Sequence, residues 1–291
     1  MSVVRFWSHD RHTFPLPPGH RFPASKYPLL REAVEAEGLT VRDAGAAAWA
    51  DLVRAHDPAW LGRVRRGELS VREERTLGLP WSPQLVERSR HSVQGTIEAM
   101  RDALATGAGM NLGGGTHHAG YAAGRGFCLL NDVAVAIRVV EPATVLVVDC
   151  DVHQGDGTAE LFAGDPAVFT LSLHGGANYP FRRARSDLDV DLPDGTGDDE
   201  YLDALRAALD EAPADVDLVV YLAGADPWEG DRLGRLALTK EGLAARDEMV
   251  LGLGPPVCVV LAGGYAPDVA DTVEINLATV RAVGTLTAAG P

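Results

Sequence analysis

Five short apolar runs, at 109–112, 144–148, 168–173, 218–222 and 257–261, constrain this chain more than any other feature. Most of them do not alternate apolar with polar residues, so strands built from them are expected to be covered on both faces, as in parallel sheets. Helix-like segments separate most of them, at 127–140, 158–163, 199–212, 239–253 and 267–283. Strands that alternate with helices predict an α/β chain, a three-layer α/β/α sandwich around a mostly parallel central sheet. Upstream, the Pro-rich stretch 14–23 reads as a loop leading into a helix near 25–38, and 46–78 reads as helical and charged. Residues 82–107 read as one long amphipathic helix with Pro83 in its first turn, where a missing N–H costs nothing. The N-terminal third is thus expected to be a helical elaboration of the sandwich.

The segments directly after the runs carry the chemistry. Ligands of open α/β sheets gather beyond the carboxyl ends of the strands. Here those ends lead into Gly113-Gly114-Gly115-Thr116-His117-His118, into Asp149-Cys150-Asp151-Val152-His153-Gln154-Gly155-Asp156-Gly157, into Ala223-Gly224-Ala225-Asp226-Pro227 and into Ala262-Gly263-Gly264-Tyr265. A single aspartate in such a place is more often a helix cap. Four strand ends that deliver histidines, carboxylates and a tyrosine to one rim are hard to explain that way, because unpaired buried charge is costly.

Asp151, His153 and Asp226 offer oxygen and nitrogen donors suited to zinc, and three protein ligands leave a position open for catalysis. If the chain stays extended beyond its strand, Asp149, Asp151 and His153 share one face. Iron(II) or cobalt would also suit two carboxylates and one histidine. Amide hydrolysis further needs a base, an oxyanion donor and a proton for the leaving amine. His117 and His118 can serve as bases, Asp149 and Asp156 can orient them, and Tyr265 can donate to the carbonyl oxygen.

Composition narrows the partners. With 26 basic against 41 acidic residues the net charge is −15, which argues against nucleic-acid binding and is compatible with a cationic substrate. Cys128, Cys150 and Cys258 lie in apolar stretches with no pairing pattern, as reduced core thiols would. No apolar run reaches signal-peptide or membrane-span length, so a cytoplasmic protein with no membrane partner is expected.

These motifs, with Gly126-Phe127-Cys128-Leu129-Leu130-Asn131-Asp132 and Leu171-Ser172-Leu173-His174, resemble the zinc-dependent histone deacetylase family in order and spacing. The segment His20-Arg21-Phe22-Pro23-Ala24-Ser25-Lys26-Tyr27 is similar to its class IV branch and compact bacterial relatives. The resemblance covers nearly the whole chain. It implies the arginase–deacetylase fold, a single catalytic domain over 1–291, and removal of acetyl or longer acyl groups from lysine side chains of a protein or peptide. It assigns one catalytic Zn²⁺ to Asp151, His153 and Asp226. His118 matches the general base partnered by Asp156, His117 the second histidine partnered by Asp149, and Tyr265 the residue that polarises the carbonyl. Gly126 and Phe127 match one tunnel wall, with Tyr179 expected on the opposite wall. A structural K⁺ is implied by the carbonyls of Asp149, Asp151, His153 and Leu173 with the side chains of Asp149 and Ser172.

Three related activities compete with this reading. An arginase-type enzyme needs a second metal, whose carboxylate would stand where Gly155 is. A catalytically dead relative would have lost a ligand or the tyrosine, and both are present. An acetylpolyamine amidohydrolase is the strongest alternative; its acidic gatekeeper aligns with Leu233, which has no charge to offer a polyamine.

Overall fold

The computed structural model describes residues 4–286. The chain runs through β1 (Arg5–Ser8), α1 (Lys26–Ala36), β2 (Val41–Asp43), α2 (Trp49–Leu52), α3 (Pro58–Arg66), α4 (Val71–Leu77), α5 (Pro83–Thr106) and β3 (Ala108–Asn111). It continues through α6 (Asp132–Val140), β4 (Val145–Asp149), α7 (Asp156–Phe162), β5 (Val168–Gly175), β6 (Leu188–Leu192), α8 (Asp198–Glu211), β7 (Leu218–Leu222), α9 (Lys240–Leu251), β8 (Val257–Val260) and α10 (Val269–Gly284). One eight-stranded sheet in the order β2-β1-β3-β8-β7-β4-β5-β6 organises these elements. Every pairing is parallel.

The unalternated runs do what their composition requires. Val145 and Val147 of β4 point into one apolar cluster with α5 and α6, while Leu146 and Val148 point into another with α1, α8, α9 and α10. Each fully buried valine or leucine contributes about 1.5–3 kcal/mol, so a charge on either face of β4 would be strongly destabilising. α5 starts as expected: Ser82 accepts from the Leu85 N–H at 3.1 Å, Pro83 follows at the first position, and Gly107 ends the helix.

Three expectations need correction. The N-terminal third is more than a helical elaboration, since β1 and β2 extend the sheet to one edge. The stretch 46–78 is three short helices, separated where Asp57 caps α3 and Ser70 caps α4. The helix expected from 127 begins only at Asp132. Phe127 has φ of 66°, outside the helical range, and Asn131 caps α6 by accepting from the Ala134 N–H. Among the described residues no helix is long and apolar enough to cross a membrane.

Candidate active site

The four strand ends that carry chemistry belong to β3, β8, β7 and β4, which are consecutive neighbours in the sheet. Sequence positions more than a hundred residues apart therefore meet at one rim. After β3, the buried carboxylate of Asp132 fixes the glycine-rich loop, accepting from the backbone N–H groups of Gly115 at 3.1 Å and Thr116 at 2.7 Å. This presents His117 and His118 inward, both almost fully buried.

After β4 the chain does not stay extended. The strand ends at Asp149, and the backbone folds over its own side chains: the Asp151 N–H donates to Asp149 Oδ1 and the His153 N–H to Asp151 Oδ1. Convergence of these residues comes from that bend and not from strand alternation. Asp226 closes the group from β7, its Oδ1 accepting from the Val152 N–H at 2.9 Å.

Ligand atoms of Asp151, His153 and Asp226 all lie within 4.8 Å of one another. His153 Nδ1 faces both carboxylates, at 2.9 Å from Asp151 Oδ1 and 3.3 Å from Asp226 Oδ2. Asp226 Oδ2 is buried without a hydrogen-bond partner. Gly263 leaves the space open, since a Cβ there would lie 1.8 Å from Asp226 Oδ2 and 2.6 Å from Asp151 Oδ2. Burial, then the charge of Asp151, raise the Asp226 pKa to about 6. Two buried carboxylates this close stay ionised together only if positive charge lies between them; otherwise one takes up a proton. Protonation of His153, raised to about 10 by both aspartates against the effect of burial, is one way to supply that charge. A divalent ion is the other, and the donor set fits one.

The two histidines differ in charge state, and the reason is visible. Each has a carboxylate on Nδ1: Asp149 lies 2.7 Å from His117 and Asp156 2.6 Å from His118. His117 also has Asp151 at 3.8 Å from Nε2. Against burial, those two carboxylates raise His117 to about 9. Burial, joined by the charge of His117 across ring centroids 4.1 Å apart, lowers His118 to about 4. His118 is thus a neutral imidazole at pH 7. Its Nδ1–H donates to Asp156, which leaves Nε2 as the atom able to accept a proton.

Asp151, His153, His117, His118 and Tyr265 line one cavity of about 580 Å³. Tyr265 is held protonated, and hence a donor, by burial and by the charges of Asp151 and Asp226. Gly126, Phe127, Tyr179 and Leu233 line the same cavity. Phe127 stands 5.8 Å from the Tyr265 ring, and Tyr179 meets His118 edge-on at 4.8 Å. Gly126 has φ of +54°, and a Cβ there would strike the His118 ring at 2.5 Å, so the wall admits only glycine. Asp149 and Ser172 are register partners in β4 and β5, and Ser172 Oγ lies 2.9 Å from His174 Nδ1.

Several supporting residues escaped the sequence reading. Asp231 accepts from the N–H groups of Leu233, Gly234 and Tyr265, which ties the cavity mouth to the tyrosine. An aspartate two residues before Leu233-Gly234 is a turn signal that could have pointed to it. Arg125 donates to the His118 carbonyl at 2.7 Å and lies 3.3 Å from Asp156, a pairing with no local signal in the sequence. Beneath the loops that carry Asp151 and Asp226, fully buried Arg246 donates to the carbonyls of Gly224 at 2.6 Å and Cys150 at 3.3 Å. It also pairs with Asp247, which accepts from Tyr221 and Thr279. The three cysteines are buried free thiols whose pKa values burial drives up.

The chain is similar to known proteins. The histone deacetylase domain model matches residues 20–280. An uncharacterized protein of Picosynechococcus sp. is 42% identical over 281 residues, covering 91% of this chain and 93% of its own. Histone deacetylase 2 of Arabidopsis thaliana is 30% identical over 301 residues, covering 94% and 78%. A histone deacetylase homologue from Aquifex aeolicus superposes with a TM-score of 0.85 over 97% of this chain and 84% of its own, at 22% identity, which is a likeness of fold. With its domain matched along most of its length, the chain belongs to the histone deacetylase family.

Proposed function

We propose that the protein is a zinc-dependent lysine deacylase, hydrolysing the amide between an acetyl or longer acyl group and a lysine side chain. The observation that carries this is the Asp151–His153–Asp226 group, whose Asp151 and His153 line one cavity with the two Asp-paired histidines and Tyr265. Zinc on the three ligands would supply a Lewis acid for the acyl carbonyl and for an attacking water. His118 Nε2 takes the water proton, with Asp156 holding its ring in the useful tautomer. Tyr265 donates a hydrogen bond to the carbonyl oxygen as negative charge builds there. His117 stays cationic between Asp149 and Asp151 and stabilises the same charge. Gly126, Phe127 and Tyr179 exclude water around the apolar stem of the lysine. A structural K⁺ near Asp149, Ser172 and Leu173 would hold the β4–β5 ends in register.

Leu233 at the mouth favours an acyl-lysine over an acetylated polyamine, whose second ammonium would lose water there and gain no partner. The test is a panel of acetyl-lysine peptides, longer acyl-lysine peptides and acetylpolyamines, assayed zinc-loaded and chelated. Acyl-lysine hydrolysis that chelator abolishes is expected. A tenfold preference for the polyamine would overturn the substrate assignment.

A further inference from the structure

We infer that the cavity rim selects acyl-lysines whose neighbouring residues are acidic, a step that rests on the acyl-lysine reading of the site. The chain as a whole carries a net charge of −15. The cavity has the opposite bias: Arg21, Lys26, Arg232 and Arg235 line it, and Asp151, already committed to the ligand group, is the one carboxylate among the described lining residues. Arg21, Arg232 and Arg235 are solvent-exposed.

The charges of this rim are poorly compensated. Arg21 makes no ion pair among the described residues. Arg232 donates to the Pro267 carbonyl at 3.0 Å, which satisfies a donor without cancelling the charge. Arg235 meets Asp194 at 3.2 Å, with both side chains half exposed, a pairing that an arriving carboxylate can displace. Asp231 lies in the same turn and keeps its charge, but three backbone N–H groups occupy its oxygens and it forms no ion pair with the rim arginines among the described residues.

The rim is also preset. Asn178 Nδ2 donates to the Leu233 carbonyl at 2.7 Å, tying the arginine-bearing turn to the Tyr179–Phe181 segment. Phe181 is 88% exposed and stands edge-on to Tyr179 at 6.3 Å, offering an apolar contact beside the arginines. With the acyl-lysine stem in the cavity, a residue two positions away lies about 7 Å along an extended peptide, within reach of this rim. At physiological ionic strength charges are screened over about 8 Å. The rim cations therefore outweigh the distant acidic surface for a docked peptide, and complementary charge there sets specificity and encounter rate. A flank rich in lysine and arginine is the disfavoured case.

Three peptides with the same central acyl-lysine test this, flanked by glutamates, by serines or by lysines. Dissociation constants come from fluorescence anisotropy and kcat/KM from hydrolysis, at low and high salt. Tighter binding of the acidic peptide than the basic one, by about tenfold at low salt and shrinking with salt, is expected. The R21E/R232E double variant is expected to reverse the order, chiefly through KM. Equal binding of all three peptides, or a preference that the double variant leaves intact, overturns the inference. Hydrolysis without flank preference would overturn the rim and leave the deacylase reading standing. Salt-sensitive acidic preference in binding without hydrolysis would support the rim and defeat that reading.

Discussion

The floor and the rim of the cavity are both charged, yet they are built on opposite plans. On the floor Asp151, His153 and Asp226 are buried, and Arg246 below them is fully buried with every contact made inside the protein. At the rim, arginines stand in water with few partners. Buried charges without a partner are expensive, so the floor tolerates almost no change. Exposed charges interact weakly and are screened, so the rim can vary without cost to the fold. Chemistry is fixed below and selectivity is adjustable above.

The comparison breaks most readily at the floor. D151A, H153A or D226A is expected to lose bound metal and all measurable hydrolysis, because three ligands leave no spare. Elemental analysis that finds a full metal equivalent in any two of them would refute the ligand set.

One step up, H118A is expected to lower kcat by about 10²-fold or more, and Y265F by about 10²-fold with metal retained. A base whose pKa is depressed works above that pKa and fails only as pH falls through it. The acid limb of kcat/KM is therefore expected well below the ordinary histidine value of 6.5, towards about 4. Positive charge on the ligand group pushes it the same way. A limb at or above 6.5 in protein that retains its metal would contradict the assignment of His118. Wild-type kcat in Y265F would do the same for Tyr265.

Arg246 sharpens the floor from below. R246M removes one partner of a buried pair and is expected to cost about 3–5 kcal/mol of stability, read by denaturant unfolding. Unchanged stability would mean that the Cys150 and Gly224 carbonyls need no such support. The smallest effect belongs to the mouth. L233E is expected to shift kcat/KM towards an acetylpolyamine by about 1–3 kcal/mol relative to an acetyl-lysine peptide. An unchanged ratio would place Leu233 outside the substrate's path.

How much of this was legible depended on burial. β7 was readable to the residue, and β3, β4, β5 and β8 within a residue or two, because both faces of each are covered and their sequences are mostly apolar. β1, β2 and β6 were not, because they lie at or near the sheet edges and carry Arg5, Ser8, Arg42, Asp43, Asp189 and Asp191. The candidate ligands, histidines and tyrosine stood out because they cluster directly after strands. Asp231, Arg125 and Arg246 were hidden because much of what they hold is backbone, or lies far away in sequence. The sign of the rim was hidden too, since net charge averages a surface whose active corner departs from the mean.

Metal dependence is the central claim, and a zinc titration of chelator-stripped protein tests it most directly, following hydrolysis of an acetyl-lysine peptide. One equivalent of zinc is predicted to restore full activity from a baseline near zero. Activity that survives stripping, or that requires two equivalents to return, would contradict the single site at Asp151, His153 and Asp226.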